Sequence, residues 1–218
     1  METKREVFQA DEVQKLKLEV GCGTVYVKES TDSNQIQVDV LEDETGTYSS
    51  SLENGKLKIR FKMKQKKLHM NECKTVITVT VPAGKVFEKV KAEIGAGMFD
   101  TQKAELHSDR IKFEVGAGNA KIGSIKAQTF TAECGAGQLN VAKAVANDMD
   151  ISCGVGKCEI NVEGKSTDYN FDLNYGIGKI YINDEKLSRK DGNRQAAGIA
   201  AGTIHISCGV GTIRLNIA

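Results

Sequence analysis

Apolar residues fall on every second position along most of this chain, in short runs that end at glycine. Ile111, Phe113 and Val115 lead into Gly116-Ala117-Gly118, with Ala120 and Ile122 following. Ile204, Ile206 and Cys208 lead into Gly209-Val210-Gly211, with Ile213 and Leu215 following. A period of two marks β-strands with one buried face. The same frame surrounds Gly95-Ala96-Gly97, Gly135-Ala136-Gly137, Gly154-Val155-Gly156 and Gly176-Ile177-Gly178, and a seventh tripeptide, Gly21-Cys22-Gly23, lies upstream. From Gly95 onward the first glycines are 21, 19, 19, 22 and 33 residues apart, by subtraction of their positions.

The phase of the alternation says what happens at the glycines. Counting by twos from Ile111 reaches Ala117 and then Asn119, yet the next apolar positions are Ala120 and Ile122. A one-residue slip in a straight strand would turn every side chain to the wrong face. The chain must bend there, and we expect the second glycine to take φ > 0, with small residues such as Ala96, Ala117 and Ala136 inside the corner. Two strands joined by a glycine corner, recurring about every 20 residues, make one rung of a solenoid, which buries its apolar face only by stacking on its neighbours.

The expected architecture is therefore an all-β, single-stranded parallel β-solenoid forming one domain over residues 1–218. Residues 83–218 carry the regular rungs and 7–82 an irregular N-terminal end with longer strands, a separate small β-domain being the alternative. In that end, Leu16–Val20 leads into Gly21. Ile36–Val40, Leu57–Phe61 and Thr75–Val81 read as further strands, Asn54-Gly55 as a tight turn, and Pro82 as a stop. The long spacing before Gly209 predicts an insertion loop over 184–202, the kind of loop on which solenoids often bind. A terminal rung would also offer an edge for a second copy.

Composition narrows the functions. The chain has 22 Gly, one Pro and no Trp among 218 residues, and 30 basic against 29 acidic residues, a balance that argues against nucleic acid. The Lys62, Lys64, Lys66, Lys67 run reads as the wet face of a strand end. No apolar stretch is long enough to span a membrane, and Met1–Ala10 has no signal-peptide core. Strands follow the Gly-x-Gly tripeptides where a dinucleotide fingerprint needs a helix, so no cofactor is expected.

Cys134, Cys153 and Cys208 occupy one rung position, where Ile94, Val115 and Tyr175 also stand. Cys158 takes a position shared with Phe99, Leu139 and Ile213. These read as buried free thiols acting as small hydrophobes, with a Cys134–Cys153 disulfide or a metal site as alternatives. His69, His107 and His205 lack ligand spacing. Glu93, Glu114 and Glu133 share the position two before the first glycine, and Asp150 and Asp172 also face outward. Such an acidic ladder either binds a cation or steers a basic partner, or is solvated charge offset by Lys91 and Lys112. No catalytic, cofactor or metal residues are assigned, and polysaccharide cleavage by paired carboxylates is the most distant reading.

The run Ile77–Pro82, then Val90–Gly97 and its repeats, with Val115-Gly116-Ala117-Gly118 followed by Cys153-Gly154-Val155-Gly156 and Cys208-Gly209-Val210-Gly211, resembles the bacterial DUF4097-type family of putative adhesins. The resemblance runs from Val7 to the end. It implies a right-handed β-solenoid and an extracytoplasmic, membrane-anchored location, a cytoplasmic one being the alternative. Its implied role is a non-catalytic envelope module for a glycan, a surface polymer or a protein, or a scaffold in envelope-stress sensing. The family supplies no catalytic residues to carry over.

Overall fold

A computed structural model describes residues 3–32, 34–64, 73–188 and 193–218. Its strands follow the alternation closely. The chain runs through β1 (Thr3–Gln9), β2 (Lys15–Val20), β3 (Thr24–Ser30), β4 (Gln35–Leu41), β5 (Gly46–Glu53), β6 (Lys56–Met63) and β7 (Val76–Pro82). It continues through β8 (Val86–Ile94), β9 (Met98–Lys103), β10 (Glu105–Val115), β11 (Asn119–Cys134), β12 (Gln138–Cys153) and β13 (Lys157–Val162). Then come β14 (Tyr169–Tyr175), β15 (Lys179–Ile182), β16 (Glu185–Lys186), β17 (Gly202–Cys208) and β18 (Thr212–Ile217). All join one curled sheet, an all-β solenoid as the alternation requires.

The central rungs are three-sided. β11 and β12 pair in parallel over 119–122, 124–127 and 129–134 of β11, with breaks at Gly123 and Gln128. At each break the inward alternation slips by one residue, from Ile122 to Ile125 and from Ala127 to Phe130. Those slips are corners of the same kind as the glycine corner, made without Gly-x-Gly. Inside, Phe99, Phe113 and Phe130 stack through successive rungs with ring centroids 5.8 and 6.0 Å apart. One continuous cluster of buried residues reaches from Ala10 to Ile217.

The glycine corners differ from expectation in two ways. Gly23 has φ +94°, but the second glycines of the later tripeptides lie outside the left-handed region. They are glycine because corners stack backbone on backbone. Ala117 N donates to Gly95 O at 2.8 Å and Asn119 N to Gly97 O at 2.9 Å. A Cβ on Gly116 or Gly135 would lie 2.8 Å from the carbonyl oxygen of the rung below, and one on Gly118, Gly137 or Gly156 closer still. Gly154 and Gly209 sit on Gly135 and Gly154 in the same way, and Gly178 and Gly211 on neighbouring corners. The middle residue, expected inside, instead points outward, and Ala117 and Ala136 are exposed.

Stacking order also departs from chain order at both ends. β6 and β7 lie outside β2 and β3, which pair on their other side with β8 and β9. At the far end β17 pairs with both β12 and β14, and β18 with both β13 and β15. The Gly209 rung is thus inserted between the Gly154 and Gly176 rungs. The ends are not wholly parallel: β1–β4, β4–β7, β5–β6 and β15–β16 are antiparallel. Asn54 and Gly55, with φ 49° and 71°, make the tight β5–β6 turn. β1 and the Ser-rich β5 escape the alternation rule because neither is apolar enough to show it. The antiparallel strands cover a parallel edge that would otherwise expose unpaired backbone.

Candidate functional site

Parallel, in-register stacking places like on like. On the face before the glycine corner, Glu19, Glu93, Glu114 and Glu133 form one column, with Arg60 at its end. Lys58, Lys17, Lys91 and Lys112 form the next column. The two columns interlock. Lys91 holds Glu93 at 2.7 Å and Glu114 at 3.1 Å, and Lys112 holds Glu114 at 2.7 Å and Glu133 at 2.6 Å. Burial acts to raise the Glu19 pKa, but the hydrogen bonds from Lys17, Lys58 and Arg60 overcome it and hold the carboxyl down to about 2. Bonding to Glu114 and Glu133 pushes the Lys112 ammonium up. The acidic ladder named by the sequence is therefore internally neutralised by lysines.

A third, outer column is different. Lys56, Lys15, Lys89 and Arg110 lie level on β6, β2, β8 and β10. Lys15 pairs with Glu88 at 3.0 Å, while the other three make no ion pair among the described residues. Rungs spaced ~4.8 Å apart make this a short row of cations along the stack. Beside the corner glycines Gly21, Gly95 and Gly116 lies a groove of about 520 Å³, lined also by Glu19, Glu93, Glu114 and Arg60.

Asp150 and Asp172 belong to the lysine column, not the glutamate one, and flank His205. His205 Nδ1 is 3.0 Å from Asp172 Oδ2 with both side chains exposed, which makes a surface pair. His107 is half-buried on β10. His69, Lys66 and Lys67 lie outside the described residues, as does part of the 184–202 stretch. Of that stretch, the described part from 193 packs along the β14 edge: Phe171 N donates to Arg194 O at 2.7 Å, and Ala201 N to Asp168 O at 2.7 Å.

All six cysteines are free thiols. Cys134, Cys153 and Cys208 stack level in the core, and Cys158 is fully buried beside them. Burial pushes the Cys158 and Cys208 thiols up. The hydrogen bond shared with Cys134, together with burial, does the same to Cys153. Among the described residues no three His, Cys, Asp or Glu side chains come together in a metal-holding arrangement. No described helix is long and apolar enough to cross a membrane.

The feature that sequence reading missed is on the corner ridge. The outward middle residues run Ala96, Ala117, Ala136, Val155, Val210, Ile177 in stacking order. The last three are 67%, 56% and 79% exposed. Insertion of the final rung sets Val210 between Val155 and Ile177, an order that no spacing in the chain reveals.

A parallel β-solenoid with laddered outer faces and hairpin-capped ends defines a repeat protein that presents long, regular surfaces. The chain belongs to the Toastrack DUF4097 family, whose profile matches residues 13–190. It is similar in fold to a putative cell adhesion protein from Clostridium sporogenes at 14% identity, covering 100% of this chain and 99% of that one, with a TM-score of 0.52. A putative adhesin from Bacteroides fragilis is 19% identical over 98% of this chain and 97% of its own, with a TM-score of 0.49. No curated protein matches the chain by sequence.

Proposed function

We propose that this chain is a non-catalytic binding module of the bacterial cell envelope that holds an extended partner, a glycan or surface polymer, along its laddered face. The observation that carries the reading is the in-register repetition of one side chain per rung. It gives the face the period of its own stacking, ~4.8 Å, and a flat rigid base. A polymer with regularly placed anionic groups would find the outer column of Lys56, Lys15, Lys89 and Arg110 already ordered. The Clostridium sporogenes protein of similar fold, described as a putative cell adhesion protein, supports the surface reading.

The test has two arms. Protease shaving of intact native cells, followed with an antibody, should remove the band; survival until lysis would put the domain in the cytoplasm and end the adhesin reading. Purified envelope polymer should then bind the immobilised chain. The double variant Lys89→Glu with Arg110→Glu should weaken that binding at least about tenfold, and added salt should weaken it too. Equal binding by the variant would exclude the cationic column as the contact.

The exposed Val155–Val210–Ile177 ridge favours a second reading, a scaffolding partner in an envelope-stress sensing system. Its test is in-cell crosslinking from a photoreactive residue at Ile177, which should trap one defined protein if this reading holds.

A further inference from the structure

Cys22 and Cys73 stand apart from the core thiols. Cys22 is the middle residue of the first Gly-x-Gly, a place that points outward in later rungs, yet it is 2% exposed. What covers it is the chain that stacks outside, just before β7. Thr24 N donates to Thr75 O at 2.9 Å, and Thr24 is level with Val76. That ladder brings the stretch of chain that carries Cys73 over the first glycine corner.

The surroundings hold Cys73 in this place. Asp43 accepts hydrogen bonds from the backbone N–H of Lys74 and from Thr75 Oγ1, the latter at 2.9 Å, so the residues following Cys73 are tied down. The Cys73 sulfur packs 3.4 Å from where a Cβ on Gly23 would sit, and its side chain lies against the core while remaining half-exposed. Burial, the neighbouring Cys73 thiol and Asp43 push the Cys22 thiol up to about 12, so Cys22 is shielded, and half-exposed Cys73 is the member that solvent reaches.

We propose that Cys22 and Cys73 form a redox-active pair whose disulfide staples the outermost N-terminal rung to its neighbour. The oxidant is a small-molecule or protein disulfide. The Cys73 thiolate attacks one of its sulfurs and expels a thiolate, leaving Cys73 in a mixed disulfide. Cys22 then gives its proton to solvent, attacks the Cys73 sulfur and expels the second thiolate. Two protein thiols are oxidised and one disulfide is reduced to two thiols. The staple closes a loop across 51 residues (73 minus 22) at the end of the stack where fraying would begin. It is independent of what the outer face binds.

The test incubates the full chain with oxidised glutathione, blocks remaining thiols by alkylation and maps the peptides by mass spectrometry. The expected result is a Cys22–Cys73 linked pair, four alkylated cysteines and a Tm raised by at least about 5 °C, reversed by dithiothreitol. Cys73→Ser, at a half-exposed site, should abolish the linked pair and the Tm rise, while Cys134→Ser should leave both. Six alkylated cysteines after oxidation, a linked pair drawn from the core thiols, or a stable glutathione adduct on Cys73 without closure would each overturn the proposal.

Discussion

Glu19 shows how a single side chain on the outer face contributes. It is acidic in a neighbourhood of Lys17, Lys58 and Arg60, with contacts to Lys58 at 3.1 Å and to the Arg60 guanidinium. Its folded pKa, about 2, lies below its ordinary value of 4.5. A depressed carboxylate contributes stability that is fully present above its unfolded pKa and is lost as pH falls through the folded value. The Glu19→Gln variant should therefore unfold at lower denaturant than the parent near pH 7, by roughly 1–2 kcal/mol after allowing for solvent screening. The difference should shrink between pH 4.5 and about 2. A gap that is constant with pH would mean that packing, not charge, holds Glu19 in place.

The glycine corner is the element on which the fold repeats. Its alternation and its place in each rung were legible from Ile111 through Ile122, because burying one face leaves a period-two trace in the residues. The reason for glycine was not legible. Sequence suggests a backbone turn needing φ > 0, and only stacking shows that most of these glycines are there to let a neighbouring carbonyl approach. Gly137→Ala should thus cost about 3 kcal/mol or more, since its Cβ would meet the Gly118 carbonyl and backbone cannot step aside. Gly198→Ala, with open space around its Cα, should cost little. Thermal unfolding of the two variants side by side checks this, and equal midpoints would refute the close-approach account.

At the scale of the molecule, the inserted last rung makes the C-terminal end depend on its final residues. β17 and β18 each pair on both sides, so they hold β14 and β15 to the stack. In a simple solenoid the last rung contacts one neighbour and its loss is mild. Here a chain ending at residue 201 should lose the Gly176 rung as well as the Gly209 rung. It should also expose Met149, Ile151 and Cys153, and bind a hydrophobic dye that the full chain does not. Cooperative unfolding like that of the full chain, with no dye binding, would show that β14 and β15 can repack directly on β12 and β13.

The amino-acid sequence alone determined that the chain is built of strands, where its glycine corners fall, and which side chains enter the core, including Cys134, Cys153, Cys158 and Cys208. Each of these follows from local periodicity and from the cost of exposing apolar surface. Tertiary structure alone decided which rung lies on which, that Cys22 meets Cys73, that Lys15, Lys56, Lys89 and Arg110 stand in one row, and that Val210 comes between Val155 and Ile177. Parallel rungs are similar enough in pattern for any to stack on any other. The order is therefore set by how the connections reach and how the end strands cover the edges, and no local run of residues records that.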